Sequence, residues 1–305
     1  MLRLGVDLGG TKLEVVALDP DGQERLRRRV ATPRGDYEAT VAAITRLVTA
    51  AEAELGATGT VGLGIPGTLS TRHGGVKNAN STWLLGRPLK ADLEARLERP
   101  IRLMNDANCF ALSEAVDGAG AGAQVVFGVI LGTGVGGGIV VDGRVVEGAQ
   151  GIAGEWGHTP LPWPEDDERP GPTCYCGRRG CLETVLSGPG FAADYERQSG
   201  RKAKPEEIVE RAAMEEAHAT EALFRYRNRL ARGLAAVINI LDPHVVVLGG
   251  GMSNLPRLTE GFGDTLSPWV FNDEVRTKVV LNHHGDSSGV RGAAWLWPLP
   301  GSSGP

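Results

Sequence analysis

A glycine pattern that occurs twice in the chain does most to limit its possible folds. G-V-D-L-G at Gly5 to Gly9 returns as G-V-I-L-G at Gly128 to Gly132, an offset of 123 residues. Each copy continues into a β-rich segment and then into an aspartate–glycine turn. A strand, a glycine loop, a second strand and a turn therefore follow one another in the same order twice. We interpret the repeat as two related α/β domains that face each other across a cleft.

Strand and helix patterns alternate through the first part of the chain. They predict strands at Leu2–Asp7, Leu13–Leu18, Glu24–Ala31, Val61–Ile65 and Ile101–Met104, and helices at Tyr37–Leu55, Leu89–Leu97 and Ala107–Val116. This order is typical of an α/β layer domain. The Ala/Gly run from Gly118 to Gly122 suits a boundary, so we predict domains at 1–118 and 119–287. A charged, alanine-rich helical region, Glu206 to Leu234, is interpreted as scaffold or dimer surface.

Composition excludes several classes of partner. The formal net charge of -5 over 305 residues argues against nucleic acid or an anionic membrane as the main partner. No basic and apolar leader follows Met1, and no apolar run reaches the ~18 residues that a membrane span requires. We therefore expect a cytoplasmic protein with no membrane partner.

The two glycine loops depart from the best-known phosphate-loop patterns. A Walker loop ends in Lys-[Ser/Thr] and opens a helix, whereas Gly5 to Lys12 ends in Thr11-Lys12 and runs into a strand. The G-x-G-x-x-G within Leu131 to Val140 lacks the following helix that a dinucleotide site requires. A glycine hairpin without a ligand would explain one such loop, but it explains two matched loops poorly. Backbone N–H groups of paired hairpins can hold a polyphosphate, so the loops indicate a bound nucleotide.

Two further features support a nucleotide. A third glycine loop, L-G-G-G-M-S-N, follows the predicted strand Val245–Leu248 and precedes a predicted helix capped by Ser253 or Asn254. Asp7 ends the first strand, where its carboxylate could hold a magnesium ion or its water.

Asn105 and Asp106 lie between a predicted strand and a predicted helix. Either side chain could cap the helix. Ligands of open α/β sheets bind beyond the carboxyl ends of strands, which would place Asp106 at the ligand. A carboxylate there could accept the proton of a hydroxyl that attacks the γ-phosphate of ATP.

Three of the four cysteines lie within eight residues. Cys174, Cys176 and Cys181, with the upstream His158, form a Cys3His set of the kind that structural zinc prefers. The alternative is three reduced thiols in a loop, because C-x-C is less common than C-x2-C. Cys109 lies apart and is interpreted as a core thiol.

The segment Gly75 to Trp83 is rich in short polar side chains. A solvated turn would explain it, but carbohydrate also needs dense donors and acceptors, and Asn80 is the candidate contact.

The motifs D-L-G-G-T-K, L-G-T-G-V-G-G-G and L-G-G-G resemble the phosphate and adenosine motifs of the actin, hexokinase and heat-shock chaperone superfamily. Within it the whole chain resembles the ROK family of repressors, uncharacterised reading frames and sugar kinases. C-Y-C-G-R-R-G-C-L-E, from Cys174 to Glu183, matches the zinc signature of that family. The resemblance implies two actin-like (ribonuclease H-like) domains, with a zinc loop at 155–183 and a terminal helix at 288–298 that packs back on the N-terminal domain.

The resemblance also implies roles for individual residues. Asp106 would be the catalytic base, and a structural zinc would be held by His158, Cys174, Cys176 and Cys181. The sugar would be bound by Asn80, Asn105, Asp106, Glu155, His158 and Glu183, with the second ring nitrogen of His158 facing the sugar or an outer-shell acceptor. ATP and magnesium would be bound through Asp7, Gly9, Gly10, Thr11, Lys12, Gly132, Thr133, Gly134, Gly136, Gly137, Gly138, Gly249 and Gly250.

Several activities fit this set of motifs. A-N-S-T-W-L, G-E-W-G-H and L-P-W-P resemble bacterial fructokinase/mannokinase, which implies ATP-dependent phosphorylation of fructose, mannose or glucose at the 6-hydroxyl. An N-acetylglucosamine or other N-acetylhexosamine kinase is the alternative, since it shares nearly every motif. A sugar-responsive transcriptional regulator would carry a helix-turn-helix domain before the first hairpin, which begins here at residue 2. A homodimer is expected from the family.

Overall fold

The computed structural model describes residues 1–285 and 288–297. Its strands are β1 (Leu2–Leu8), β2 (Lys12–Leu18), β3 (Glu24–Ala31), β4 (Gly59–Ile65), β5 (Thr68–Leu69), β6 (Val76–Lys77), β7 (Ile101–Asn105), β8 (Val125–Leu131), β9 (Val135–Val141), β10 (Arg144–Val145), β11 (Val245–Gly249) and β12 (Lys278–Leu281). Its α-helices are α1 (Tyr37–Leu55), α2 (Leu89–Leu97), α3 (Asp106–Val116), α4 (Glu183–Leu186), α5 (Gly188–Ser199), α6 (Pro205–Ala213), α7 (Ala217–Leu241), α8 (Phe262–Leu266) and α9 (Ser288–Trp295). No described helix combines the length and the apolar character needed to cross a membrane.

Two five-stranded sheets share one topology. The first has the order β3-β2-β1-β4-β7, and the second has the order β10-β9-β8-β11-β12. In the first sheet β1 pairs antiparallel with β2 and parallel with β4. In the second sheet β8 pairs parallel with β11, which corresponds to β4 in the first. Since β8 and β9 begin 123 residues after β1 and β2, the glycine repeat is a repeat of structure, and the α/β actin-like fold is confirmed.

The described chain forms two compact units. The first contains Met1–Gly122, Gly138–Ala153 and the described residues 288–297, and the second contains Ala123–Gly137 and Gly154–Gly285. These bounds differ from the domains predicted at 1–118 and 119–287, because residues 138–153 cluster with the first unit. The domain bounds 1–118 and 119–287 therefore remain a prediction. Residues 286, 287 and 298 of its bounds lie outside the described residues.

Helix α1 shows how local sequence sets the element bounds. Asp36 is its N-cap, with a side-chain oxygen that accepts from the Ala39 backbone N–H at 2.9 Å. Gly56 ends the helix in the left-handed conformation with φ 62°, which glycine adopts without steric cost. The predicted bounds Tyr37–Leu55 are therefore confirmed.

Strand β2 divides its side chains between the two faces of the first sheet. Leu13, Val15 and Ala17 belong to the main core cluster, which also contains the buried side chains of α1. The alternate residues Val16 and Leu18 pack against Val290 and Ala294 of α9. Because successive strand residues point to opposite faces, α1 and α9 cover the two sides of the sheet.

Helix α9 packs directly against backbone. A Cβ atom at Gly5 would lie 2.1 Å from the Val290 carbonyl oxygen, and one at Gly62 would lie 1.9 Å from the Ala293 carbonyl oxygen. A Cβ atom at Gly292 would lie 1.6 Å from the carbonyl oxygen of Cys109 on α3. The glycines of β1, β4 and α9 therefore permit an approach that no other residue allows.

Some predicted elements differ from the structure. The predicted cap residues Ser253 and Asn254 lie inside a 3-10 helix, Gly251–Asn254, whose cap position is Gly250. The helical region Glu206 to Leu234 is two helices, α6 and α7, because the α6 C-cap residue Met214 and the N-cap Glu216 separate them. The terminal helix, predicted at 288–298, is described as Ser288–Trp295. The prediction that Asp286 and Ser287 cap this helix falls on residues outside the described part of the chain.

Candidate active site and metal centre

The first glycine loop is a tight hairpin with an exposed tip. The Gly9 N–H donates to the Lys12 carbonyl oxygen at 2.9 Å, and the Thr32 hydroxyl donates to the Gly9 carbonyl oxygen at 2.8 Å. Gly10, Thr11 and Lys12 are exposed, and a Cβ atom at Gly10 would meet nothing within 4 Å. The hairpin tip therefore has space for an anionic ligand at its backbone N–H groups.

Asp7 lies in β1, next to this hairpin, and faces other carboxylates of the first unit. Burial raises the pKa of Asp7 to about 7, and the negative charges of Asp106 and Glu14 act in the same direction. Arg29 opposes the shift but does not cancel it. Two carboxylates that repel each other in a partly buried position suit a divalent cation or a shared proton.

Asn105 takes one of the two roles that the sequence left open, that of the helix cap. The Asn105 side-chain oxygen accepts from the N–H groups of Ala107 at 2.9 Å and Asn108 at 3.4 Å, so Asn105 is the N-cap of α3. Its amide nitrogen donates to the Gly67 carbonyl oxygen at 3.1 Å. Asp106 is the first residue of α3, where one carboxylate oxygen accepts from the Ala107 N–H at 2.8 Å. The cap fixes the backbone that carries Asp106.

Asn80 lies in a segment that borders the same turn as Asn105. It is exposed, whereas its neighbour Ser81 is buried. A Cβ atom at Gly67, whose carbonyl accepts from Asn105, would lie 2.9 Å from the Ala79 backbone nitrogen. The turn at Gly67 therefore places the Asn80 segment next to the end of β7.

The second glycine loop is held by a carboxylate. The Gly132 N–H donates to the Gly134 carbonyl oxygen at 2.9 Å, and the Gly188 N–H donates to the Gly132 carbonyl oxygen at 2.8 Å. The Val135 N–H donates to the Glu183 carboxylate at 3.0 Å, and a Cβ atom at Gly134 would lie 2.8 Å from that same oxygen. Glu183, predicted as a sugar ligand, thus also shapes the hairpin.

Three glycines of the second and third loops have packing explanations. Gly137 and Gly138 are buried, and a Cβ atom on either would meet neighbouring backbone at 2.8 Å. Gly250 has φ 85°, and a Cβ atom there would lie 2.4 Å from the Leu131 carbonyl oxygen. Close packing alone explains why these three positions are glycine. The presence of glycine there is therefore no evidence for the predicted phosphate contact.

His158 and the three clustered cysteines come together in the second unit. Cys174 Sγ lies 3.6 Å from His158 Nδ1, and Cys176 Sγ lies 3.6 Å from Cys181 Sγ. One ligand atom from each of the four residues lies within 4.8 Å of all the others. Zinc bonds of about 2.3 Å to sulfur and about 2.0 Å to nitrogen, at tetrahedral angles, separate ligand atoms by roughly 3.5–3.8 Å. The donor set and its spacing therefore fit a tetrahedral zinc ion.

Glu155 and Tyr175 lie near this cluster. Burial raises the pKa of Glu155; His158 lowers it and Glu183 raises it further. Burial raises the pKa of Tyr175 to about 12, with Glu183 and Glu155 among the negative groups that add to the shift. The Tyr175 hydroxyl lies 2.9 Å from His158 Nε2. Glu155, His158 and Glu183 therefore lie near one another, and their contact with a sugar stays a prediction. Tyr175 is a neighbour that the sequence interpretation missed, although an aromatic residue between two candidate cysteine ligands was a visible signal.

The comparisons with known proteins agree with this geometry. A family model described as ROK family matches residues 3–299. The N-acetyl-D-glucosamine kinase of Photobacterium profundum is 44% identical over 296 residues, which are 96% of this chain and 98% of that protein. The N-acetyl-D-glucosamine kinase of Vibrio cholerae is 43% identical over 296 residues, with the same coverage of both chains.

Two solved structures extend the likeness to the fold. The ROK hexokinase of Thermus thermophilus matches with a TM-score of 0.87 at 32% identity, over 97% of each chain. A ROK family glucokinase from Streptomyces griseus, solved in complex with glucose and AMPPNP, matches with a TM-score of 0.77 at 28% identity, over 96% of this chain and 98% of that one.

Proposed function

The chain belongs to the ROK family, and we propose that it is an ATP-dependent sugar kinase whose preferred substrate is N-acetylglucosamine. The observation that carries the substrate is the identity of 43–44% with two N-acetyl-D-glucosamine kinases along almost their whole length. Fructose was the first expectation from the sequence and N-acetylglucosamine the alternative; the relatives favour the alternative. The family likeness supports the kinase activity, with ATP and magnesium.

We assign the general base to Asp106. Its carboxylate would accept the proton of the 6-hydroxyl as that oxygen attacks the γ-phosphorus, while positioning and charge stabilisation supply most of the rate. Asn105 supports this role because its amide caps α3 and bonds to Gly67, which fixes the base. Magnesium bound with ATP would neutralise phosphate charge, and Asp7 is the residue we assign to it. The hairpins at Gly9–Lys12 and Gly132–Gly134 remain the proposed phosphate contacts.

The substrate is tested by measuring ADP release with N-acetylglucosamine, N-acetylmannosamine, fructose, mannose and glucose. We expect the highest kcat/KM with N-acetylglucosamine. A clear preference for fructose would contradict the proposed substrate and leave the sugar kinase assignment in place.

The base is tested with Asp106→Asn. We expect kcat to fall by a factor of roughly 10²–10⁴, the usual contribution of general-base catalysis, while the melting temperature changes little. The control is Asp273→Asn, which removes an exposed carboxylate elsewhere. Turnover near that of the wild type would rule out Asp106 as the base.

We propose that His158, Cys174, Cys176 and Cys181 hold a structural zinc ion. Four protein ligands leave no open coordination position, so the ion would order the loop and would not activate water. Elemental analysis should find about one zinc per chain, and Cys176→Ser should lose it. The homodimer also remains a prediction of the family likeness, to be checked by light scattering.

A further inference from the structure

Residues 159–173, here called the spacer, connect His158 to Cys174 in the candidate zinc site. Backbone hydrogen bonds attach the start of the spacer to the chain around the cysteines. The Leu182 N–H donates to the Thr159 carbonyl oxygen at 2.9 Å. Because Thr159 directly follows His158, this bond fixes the backbone that carries the histidine.

Gly180 is bonded to both halves of the spacer. Its carbonyl oxygen accepts from the Leu161 N–H at 2.9 Å, and its own N–H donates to the Pro172 carbonyl oxygen at 2.9 Å. The two ends of the spacer are therefore attached to the segment that contains the cysteine ligands.

Helix α7 binds the middle of the spacer through two arginines. The Glu168 carboxylate accepts from both terminal nitrogens of Arg232, each at 2.7 Å, and from Arg229 Nε at 2.8 Å. Arg232 also donates to the Trp163 carbonyl oxygen at 2.7 Å. The three charged side chains are 8% exposed or less. Burial by itself would raise the pKa of Glu168, but the hydrogen bonds from Arg232 and Arg229 lower it to about 2.

Arg229 also binds Asp194, a buried carboxylate of α5, at 3.0 Å. Asp194 accepts from Arg225 at 2.8 Å as well. Removing such charges from water has a cost that their pairing only roughly offsets, so the main contribution of the cluster is one fixed arrangement of its parts. Of the two carboxylates that Arg229 binds, Glu168 belongs to the spacer and Asp194 does not.

We propose that Glu168 is a positioning residue for the zinc centre and for the sugar, because it attaches the spacer to α7 and thereby holds His158 in place relative to the cysteines. An attached spacer does not have to be ordered when the metal or the sugar binds, which lowers the entropic cost of both. The bond between the residues that follow His158 and precede Glu183 extends this restraint to two predicted sugar ligands. The inference rests on the proposed function, because the zinc and the sugar belong to it.

The test is Glu168→Gln, which removes the charge and keeps the size of the side chain. Zinc retention is measured by competition with a chelator, and binding of N-acetylglucosamine by calorimetry on zinc-loaded protein. We expect zinc affinity to fall about 10-fold, as for the loss of an outer-shell partner. The Kd for the sugar should rise about 3- to 10-fold, the range for ordering one more flexible side chain on binding. The KM for the sugar should rise with little change in kcat, because Asp106 lies on α3 in the first unit.

Asp194→Asn is the matched control. It removes the other carboxylate bound to Arg229 and leaves the bonds between Glu168 and Arg232 in place. We expect zinc retention and the sugar Kd to stay near those of the wild type, even where the melting temperature falls as far as in Glu168→Gln. Equal losses of zinc in the two variants would mean that the cluster serves only the stability of the second unit. Unchanged zinc affinity and sugar Kd in Glu168→Gln would also overturn the inference.

Arg232→Lys tests the same attachment if Glu168→Gln does not fold. A lysine keeps the positive charge but lacks the planar fork that bonds both oxygens of a carboxylate. Zinc affinity should fall in the same direction by a smaller factor, and an unchanged affinity would contradict the attachment. A wild type that binds no hexose would instead contradict the proposed function, while zinc retention would still test the role of Glu168.

Discussion

Burial and the neighbouring negative charges both raise the pKa of the Asp7 carboxyl group. Its folded-state pKa of about 7 lies well above the ordinary value of 3.8. In the folded protein without ligands, the ionised form is therefore unfavourable near neutral pH. A catalytic site commonly tolerates such a cost because the charged form is needed when the ligand is bound.

The consequence is a pH-dependent gain in stability for Asp7→Asn. Between the unfolded pKa and about 7, the folded wild type binds a proton that the unfolded chain releases, so its unfolding free energy falls as pH rises. The unfolding free energy of the variant lacks this dependence on pH. In urea unfolding without magnesium or nucleotide, the unfolding free energy of Asp7→Asn relative to that of the wild type should rise from pH 5 to pH 7 by on the order of 2 kcal/mol or more. Sugar phosphorylation should be lost.

Asp273→Asn is the control for this measurement, since that aspartate is exposed. The difference between Asp273→Asn and the wild type should not vary with pH. If the difference in unfolding free energy between Asp7→Asn and the wild type did not change from pH 5 to pH 7, the pKa of Asp7 would not be raised in the folded protein.

At the scale of elements, α9 contacts the first sheet through close backbone packing as well as through buried apolar side chains. Three glycines, Gly5, Gly62 and Gly292, let its backbone approach the neighbouring backbone. Arg291 adds hydrogen bonds to the Gly22 carbonyl oxygen and to the carboxylate of Asp117. Such contacts leave no space for an added methyl group, because backbone atoms cannot move aside as side chains do.

Gly62→Ala should therefore destabilise the protein by at least about 3 kcal/mol, at or above the usual range for overpacking. Thermal or urea unfolding measures the effect. Gly263→Ala is the matched control, since a Cβ atom at Gly263 meets nothing within 4 Å; it should stay within about 1 kcal/mol of the wild type. Equal stabilities for the two variants would show that α9 can shift away from β4.

The elements that the sequence revealed are those with a local signal. Both hairpins could be predicted because each is encoded within about twenty consecutive residues, and the same pattern occurs again 123 residues later. Asn105 and Asp106 were identified as candidates from their place between strand and helix, but the bond from Asn105 to Gly67, 38 residues away, could not be predicted. The bond from Val135 to Glu183 spans 48 residues, and the Tyr175–His158 pair depends on the fold of the cysteine loop. No periodicity in the sequence encodes those contacts.

At the scale of the whole molecule, the first unit is assembled from separate parts of the chain. Residues 1–122, 138–153 and the described residues 288–297 belong to it, whereas the second unit is complete at Gly285. Helix α9 covers Val16 and Leu18 of β2. The first unit therefore depends on a segment that lies at the far end of the sequence.

A chain that ends after Gly285 should lose protection in the first unit alone. Hydrogen exchange should become fast in β1, β2 and β4, whose contacts with α9 are missing, while the core strands β8 and β11 stay slow. Protection of β1 at the level of the full-length protein would show that α9 is dispensable for that sheet.

The split of the first unit also sets an order for its synthesis. The strands β1 to β4 are made before the elements of the second unit, and the helix that covers one face of them is made after those elements. At roughly 5–20 residues per second, that apolar face waits on the order of tens of seconds for its partner. The second unit ends at Gly285, so the unit whose synthesis begins first receives its covering helix only after the second unit has been made.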